Sequence, residues 1–113
     1  MTIAPAVVDS VLAQFEQGEV SLHSADPGLD GANELRGNRY ARLRAQWERT
    51  GDSTCTSVDL LFTGLPRGMV AAVGFWNGGR FLGYRPVTPR DTQAGDGYRL
   101  PAGYVQIFAM EVE

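Results

Sequence analysis

The sequence predicts a mainly β, single-domain fold: an antiparallel β-sandwich or jelly-roll-like domain, residues 1–113, preceded by one N-terminal amphipathic helix. Three observations lead there. Apolar residues recur at helical spacing over about 5–17, and from about 19 to 112 the period becomes two. The alternating runs are short and separated by Gly, Pro, Asn and Asp, the punctuation of an all-β domain. A length of 113 residues fits one hydrophobic core and is short for two domains.

The elements follow in order. Val7, Val11 and Phe15 lie on one helical line with Val8 and Leu12 beside it. Pro5 suits the first turn, and Gly18 stands where a left-handed C-terminal cap is expected. Val20 and Leu22 then alternate with Glu19, Ser21 and His23, which predicts a first strand with His23 on its outward face. Asp26-Pro27-Gly28 and Asp30-Gly31 mark a tight, irregular loop. Residues 39–48 fit a helical stripe or a strand, and the bracketing by Gly37-Asn38 and Gly51-Asp52 favours the strand. Val58, Leu60 and Phe62 alternate. The largely apolar run 69–76 suits a strand buried on both faces or at an interface. Asn77-Gly78-Gly79 signals a hairpin turn, with 81–84 returning antiparallel. Two prolines, two glycines and two aspartates make 86–97 read as a long surface loop. Strands at 98–100 and 104–112, separated by the Pro101-Ala102-Gly103 turn, close the chain.

Composition narrows the function. All ten basic residues are Arg, against thirteen carboxylates, for a net charge of −3. That balance argues against nucleic acid as a partner, since phosphate neutralisation needs a strong positive face. No apolar run approaches the ~20 residues that cross a bilayer, and there is no secretory signal pattern, so a membrane partner is not expected. One cysteine, Cys55, and one histidine, His23, cannot build a zinc site or a Cys–His nucleophile pair.

The remaining candidates each have a plainer reading. His23 beside Ser24 and Asp26 lacks a nucleophile elbow or oxyanion device. Asp26, Asp30 and Glu34 offer oxygens for calcium, but their spacing does not match a calcium loop, and Asp is the usual turn residue. Gly78-Gly79 and Gly95-Asp96-Gly97 open no helix and precede no Gly-Lys-Ser/Thr, so they are turn glycines. No catalytic residue, cofactor or metal is therefore expected. Arg36, Arg39, Arg42, Arg44 and Arg49 concentrate half the positive charge; as a strand, 39–48 would project Arg42 and Arg44 from one face, either solvated or docked on an acidic protein patch. Phe75, Trp76, Phe81 and Tyr84 cluster around one hairpin and, with Arg42 and Arg44, are the expected interface residues.

A further pattern runs along the chain: Leu22-His23-Ser24-Ala25-Asp26-Pro27-Gly28, Gly31-Ala32-Asn33-Glu34, Tyr40-Ala41-Arg42, Trp47, Gly74-Phe75-Trp76, Gly78-Gly79 and Pro101-Ala102-Gly103. In that order these segments resemble a family of short tailed-bacteriophage virion proteins, described as minor tail or tail-fibre-like proteins. The resemblance implies a non-enzymatic structural protein on the exterior of the phage particle, made in the bacterial host cytoplasm and acting by protein–protein assembly. It implies a homo-oligomer, with a trimer expected, in contact with other virion proteins of tail or capsid. Two alternatives stand beside the tail-associated reading: a head decoration protein stabilising the capsid, and a host-surface glycan-binding module using Trp47, Trp76 or a tyrosine.

Overall fold

The change of period after residue 17 divides helix from sheet in the computed structural model, which describes residues 4–109. Helix α1 (Pro5–Glu16) begins with Pro5 in its first turn, where a missing N–H breaks no helical bond. Its buried side chains are Leu12 and Phe15, and Phe15 meets Phe75 edge to face with ring centroids 5.7 Å apart. Gln17 closes the helix in ordinary right-handed geometry, so Gly18 is not the left-handed cap expected of it. Glycine is required there for space: a Cβ on Gly18 would lie 1.8 Å from the carbonyl oxygen of Trp76.

Among the described residues nine strands follow: β1 (Glu19–His23), β2 (Leu43–Arg44), β3 (Trp47–Thr50), β4 (Ser53–Thr56), β5 (Leu60–Phe62), β6 (Gly68–Asn77), β7 (Arg80–Thr92), β8 (Tyr98–Leu100) and β9 (Gln106–Phe108). The fold is thus mainly antiparallel β with one helix, as the alternation predicts. The strands form three sheets, in the orders β2-β1-β6-β7, β3-β4-β9 and β5-β8. Leu12, Phe15, Val20, Leu22, Phe62, Leu65, Val73, Phe75, Leu100 and Ile107 belong to the buried cluster these sheets share.

Several boundaries depart from the sequence reading. The strand expected over 39–48 is two strands, because the chain changes sheets: β2 pairs with β1, and β3 pairs with β4. The bracket Gly51-Asp52 is itself a hairpin turn, so β4 was hidden behind it; Val58 lies before β5 and is exposed. The segment 86–97, expected to be a loop, continues β7 as far as Thr92. Its prolines are tolerated because β7 is an edge strand with no ladder on its outer side, and because the register with β6 shifts between Val70 and Ala72. The last strand ends at Phe108, and the expected continuation through 110–112 lies outside the described residues.

Charged groups join the helix to the second sheet. Arg49 of β3 binds Asp9 at 2.7 Å and holds both oxygens of Glu16, which also accepts from Thr54 Oγ1 at 2.8 Å. The Arg49 bonds hold the Glu16 carboxyl below its usual range.

Helix docking through one apolar stripe has a measurable signature. Leu12→Ala should cost about 3 kcal/mol in urea unfolding, since Leu12 is fully buried. Val7→Ala, at a position 51% exposed, should stay within about 0.5 kcal/mol of the parent.

Candidate functional site

β1 and β6 have two buried faces. Val20, Leu22 and Phe75 point into the apolar core, while Ser21, His23 and Trp76 point the other way. Over this second face lies the loop 24–36, pinned by a bridge between His23 and Glu34 and by bonds from Leu35 N to Leu22 O and Ser24 N to Asn33 O, both 2.9 Å. His23 is therefore 0% exposed, correcting the expectation that it faces outward. Alternation distinguished the two faces of the strand, but the covering loop keeps the second one from water.

The buried polar groups form one chain of bonds. Trp76 Nε1–H donates to Ser21 Oγ at 2.9 Å, and Ser21 Oγ lies 2.7 Å from His23 Nε2. His23 Nδ1 lies 2.7 Å from the Ala32 carbonyl, which can only accept. The proton therefore sits on Nδ1, and Nε2 accepts from the Ser21 hydroxyl. A Ser–His bond of this length is the geometry of an activated nucleophile, but both side chains are fully buried and the third partner is a backbone carbonyl. What this arrangement does is fasten the loop to the sheet. The histidine's partner is Ser21 across the strand pleat, not Ser24, which neighbours it in sequence.

Two glycines make room for that network. A Cβ on Gly74 would come within 2.5 Å of both His23 Nε2 and Ser21 Oγ. Gly31, at φ +80°, sits so close to the Trp76 indole that a Cβ would be 2.5 Å from its ring.

At the loop's outer margin Glu34 receives three bonds from Arg42, at 3.3, 3.0 and 2.9 Å, and one from the Tyr40 hydroxyl at 2.8 Å. The Tyr40 hydroxyl accepts in turn from Leu22 N. The Arg42 guanidinium lies 3.8 Å above the Trp76 ring. Burial opposes ionisation of Glu34, yet the Arg42 and Tyr40 bonds prevail and hold its carboxyl below the usual range. Burial keeps the Tyr40 phenol above its usual range. Beside this cluster is an open polar cleft of about 520 Å³, whose lining includes Asp30, Asn33, Glu34, Arg36 and Arg42.

The expected interface residues separate accordingly. Phe75 and Trp76 are 2% and 9% exposed, covered mainly by their own chain. Phe81 is half-buried with its ring edge-on to Trp76 at 5.0 Å. Tyr84 is exposed, and the Asp26 carboxylate beside it raises its phenol. Arg42 is committed to Glu34 and Trp76. Arg44 is exposed and binds the Gln17 carbonyl at 3.0 Å, at the negative end of α1. Among the described residues no group of three or more His, Cys, Asp or Glu side chains is placed to hold a metal ion. No described helix is long and apolar enough to cross a membrane.

The sequence reading missed two surface features. Leu29, at the tip of the 26–30 turn, is 99% exposed. On the far side of β7, Tyr104 lines two adjoining hollows of about 370 and 440 Å³, together with Phe108, Tyr98, Arg85, Arg90 and Arg99. Nothing in one-dimensional spacing marks either feature, because both depend on how separate segments are brought together.

Residues 9–108 match the family described as Podophage GP4 fiber I protein gp80. The chain belongs to this podophage fibre family. Membership makes it a structural component of a phage virion, in agreement with the tail-fibre-like resemblance read from its turns and aromatics. No curated protein matches the chain.

Two predictions test this clasp, the loop 24–36 with the Trp76–Ser21–His23 chain that fastens it to the sheet. Burial pushes the His23 imidazole below its ordinary value of 6.5, against the Ala32 carbonyl and Glu34, which favour its charge. The unfolded chain therefore binds a proton that the folded chain refuses, so unfolding free energy should decline as pH falls below 6.5. Glu16 and Glu34, both held below 4.5, add a second decline as pH falls through that range. Urea titrations across a pH series read both, and His23→Gln should abolish the first decline and keep the second. Separately, Gly31→Ala combines a left-handed backbone with a clash against Trp76 and should cost about 2–4 kcal/mol, with an altered near-ultraviolet Trp signal.

Proposed function

We propose that this protein is a non-enzymatic, tail-associated building block of the podophage particle, on its exterior, acting by protein–protein assembly with copies of itself and with other tail proteins. The observation that carries this reading is the family match over residues 9–108, which spans the helix and all nine strands except the first turn of the helix. The geometry agrees with a building block. Its one Ser–His pair is sealed inside the clasp, and its ionic groups tie one segment of the chain to another. Host-glycan binding through tryptophan finds less support, because Arg42 caps the Trp76 ring and Trp47 packs edge-on against Phe75.

Immunogold labelling of intact virions with an antibody against this chain tests the assignment. Gold confined to the tail or its fibres is the expected result. Even labelling over the head would make the protein a capsid decoration component, and absence from particles despite a strong signal in infected lysate would remove it from the virion.

A further inference from the structure

The turn 26–30 reads Asp-Pro-Gly-Leu-Asp, and Leu29 at its tip is 99% exposed. Single exposed apolar residues are common on protein surfaces and mean little alone. Here the turn beneath the leucine is built to hold it out. Gly28 N binds Asp26 Oδ1 at 2.7 Å, Gly31 N and Ala32 N both bind the Pro27 carbonyl, and Asn33 Nδ2 binds the Asp26 carbonyl at 2.9 Å. Pro27 is buried, so the base of the turn is anchored in the clasp while its tip stands in water. A side chain presented on a preformed turn loses little freedom on docking.

The neighbours of Leu29 define what it fits. Asp26 and Asp30 flank it and are both exposed, and the half-exposed Tyr84 of β7 lies beside the Asp26 carboxylate. An apolar socket that took Leu29 would draw both carboxylates to its rim and strip them of water. That is costly unless cationic donors replace the water. An anionic lipid surface would repel the carboxylates, and a bare apolar patch would leave them unpaired. This chain is itself a poor source of the countercharge. Its net charge is −3, and Arg42, Arg44, Arg49, Arg85 and Arg99, half of its ten arginines, bond to groups of their own chain. We propose that the 26–30 turn is a docking knob, Leu29 entering an apolar socket on a different protein of the particle and arginine or lysine side chains on the socket's rim meeting Asp26 and Asp30. The knob rests on the assembly reading above and names the surface through which the chain holds its neighbour. Leucine supplies the buried area, and the two carboxylates supply the choice of partner.

Complementation tests this. A phage whose own copy of the gene is interrupted is grown on cells that supply the parent or one variant at equal, limiting levels, and copies per purified particle are counted by quantitative immunoblot. The parent should enter particles, and Leu29→Ser and Asp30→Arg should each enter about tenfold less or lower. Both variants should keep the parent circular dichroism, since both positions are exposed. Asp26 is left intact because its carboxylate holds Gly28 in the turn. Leu29→Ser entering at the parental level would overturn the knob and leave the assembly reading standing. Loss of Leu29→Ser with Asp30→Arg at the parental level would overturn the cationic rim. Self-association of the purified parent in sedimentation, abolished by Leu29→Ser, would overturn the assignment to a different protein and place the socket on a second copy. A parent absent from the particles would overturn both the knob and the reading beneath it.

Discussion

Everything else in this structure depends on burying both faces of β6 within one short chain. A strand covered on one side needs a single layer of apolar partners, which α1 and the core cluster supply. Covering the other side falls to the loop 24–36, whose backbone carries polar groups that also need partners once buried. An apolar second face would leave those groups unpaired. Ser21, His23 and Trp76 resolve this by offering hydrogen bonds in series, ending on the Ala32 carbonyl of the loop itself. The result is that β1 and the end of β6 carry an oily face and a polar face, both buried.

That arrangement sets where charge and glycine occur. Arg42 with Glu34 and Tyr40 closes the loop's margin, Arg44 meets the end of α1, and Arg49 holds the helix to β3. The Arg44 and Arg49 bonds join segments 27 and 33 residues apart and the Glu34 bonds close a local loop, so the arginine cluster that reads as a basic patch is mostly internal bracing. Isolated surface ion pairs contribute little, but Glu34 and Glu16 are partly buried and bound by two neighbours each, which favours a single geometry. Gly18, Gly31 and Gly74 mark the three places where backbone comes too close to Trp76, Ser21 or His23 for any side chain.

The periodicities of the sequence make the helix, β1, β6, the Gly78-Gly79 hairpin and the mainly β class legible, because each follows from local spacing and turn chemistry. What was not legible depends on coverage. Alternation separates Ser21 and His23 from Val20 and Leu22, yet it cannot say that a loop will seal the polar side. The length of β7 was hidden because Pro86 and Pro89 signal a loop unless the strand is known to be an edge. Trp76 and Phe75 looked like interface residues because an aromatic hairpin in a small domain has few other places to go; the apolar core takes Phe75 and the folded loop covers Trp76. Leu29 and the Tyr104 groove escaped notice for the converse reason, since an exposed apolar residue carries no periodic signature.

The residues that carried the resemblance to tail-fibre-like proteins are largely those of the clasp: His23, Asp26-Pro27-Gly28, Gly31, Ala32, Glu34, Tyr40, Arg42, Gly74 and Trp76. Their roles here are turning, bracing and making room. Residues with such roles hold a scaffold together and stay silent about what the scaffold touches. Partner contacts must come from groups that the clasp leaves outside. On this chain the clearest such group among the described residues is Leu29, set between Asp26 and Asp30 at the tip of a turn that the same packing holds in place.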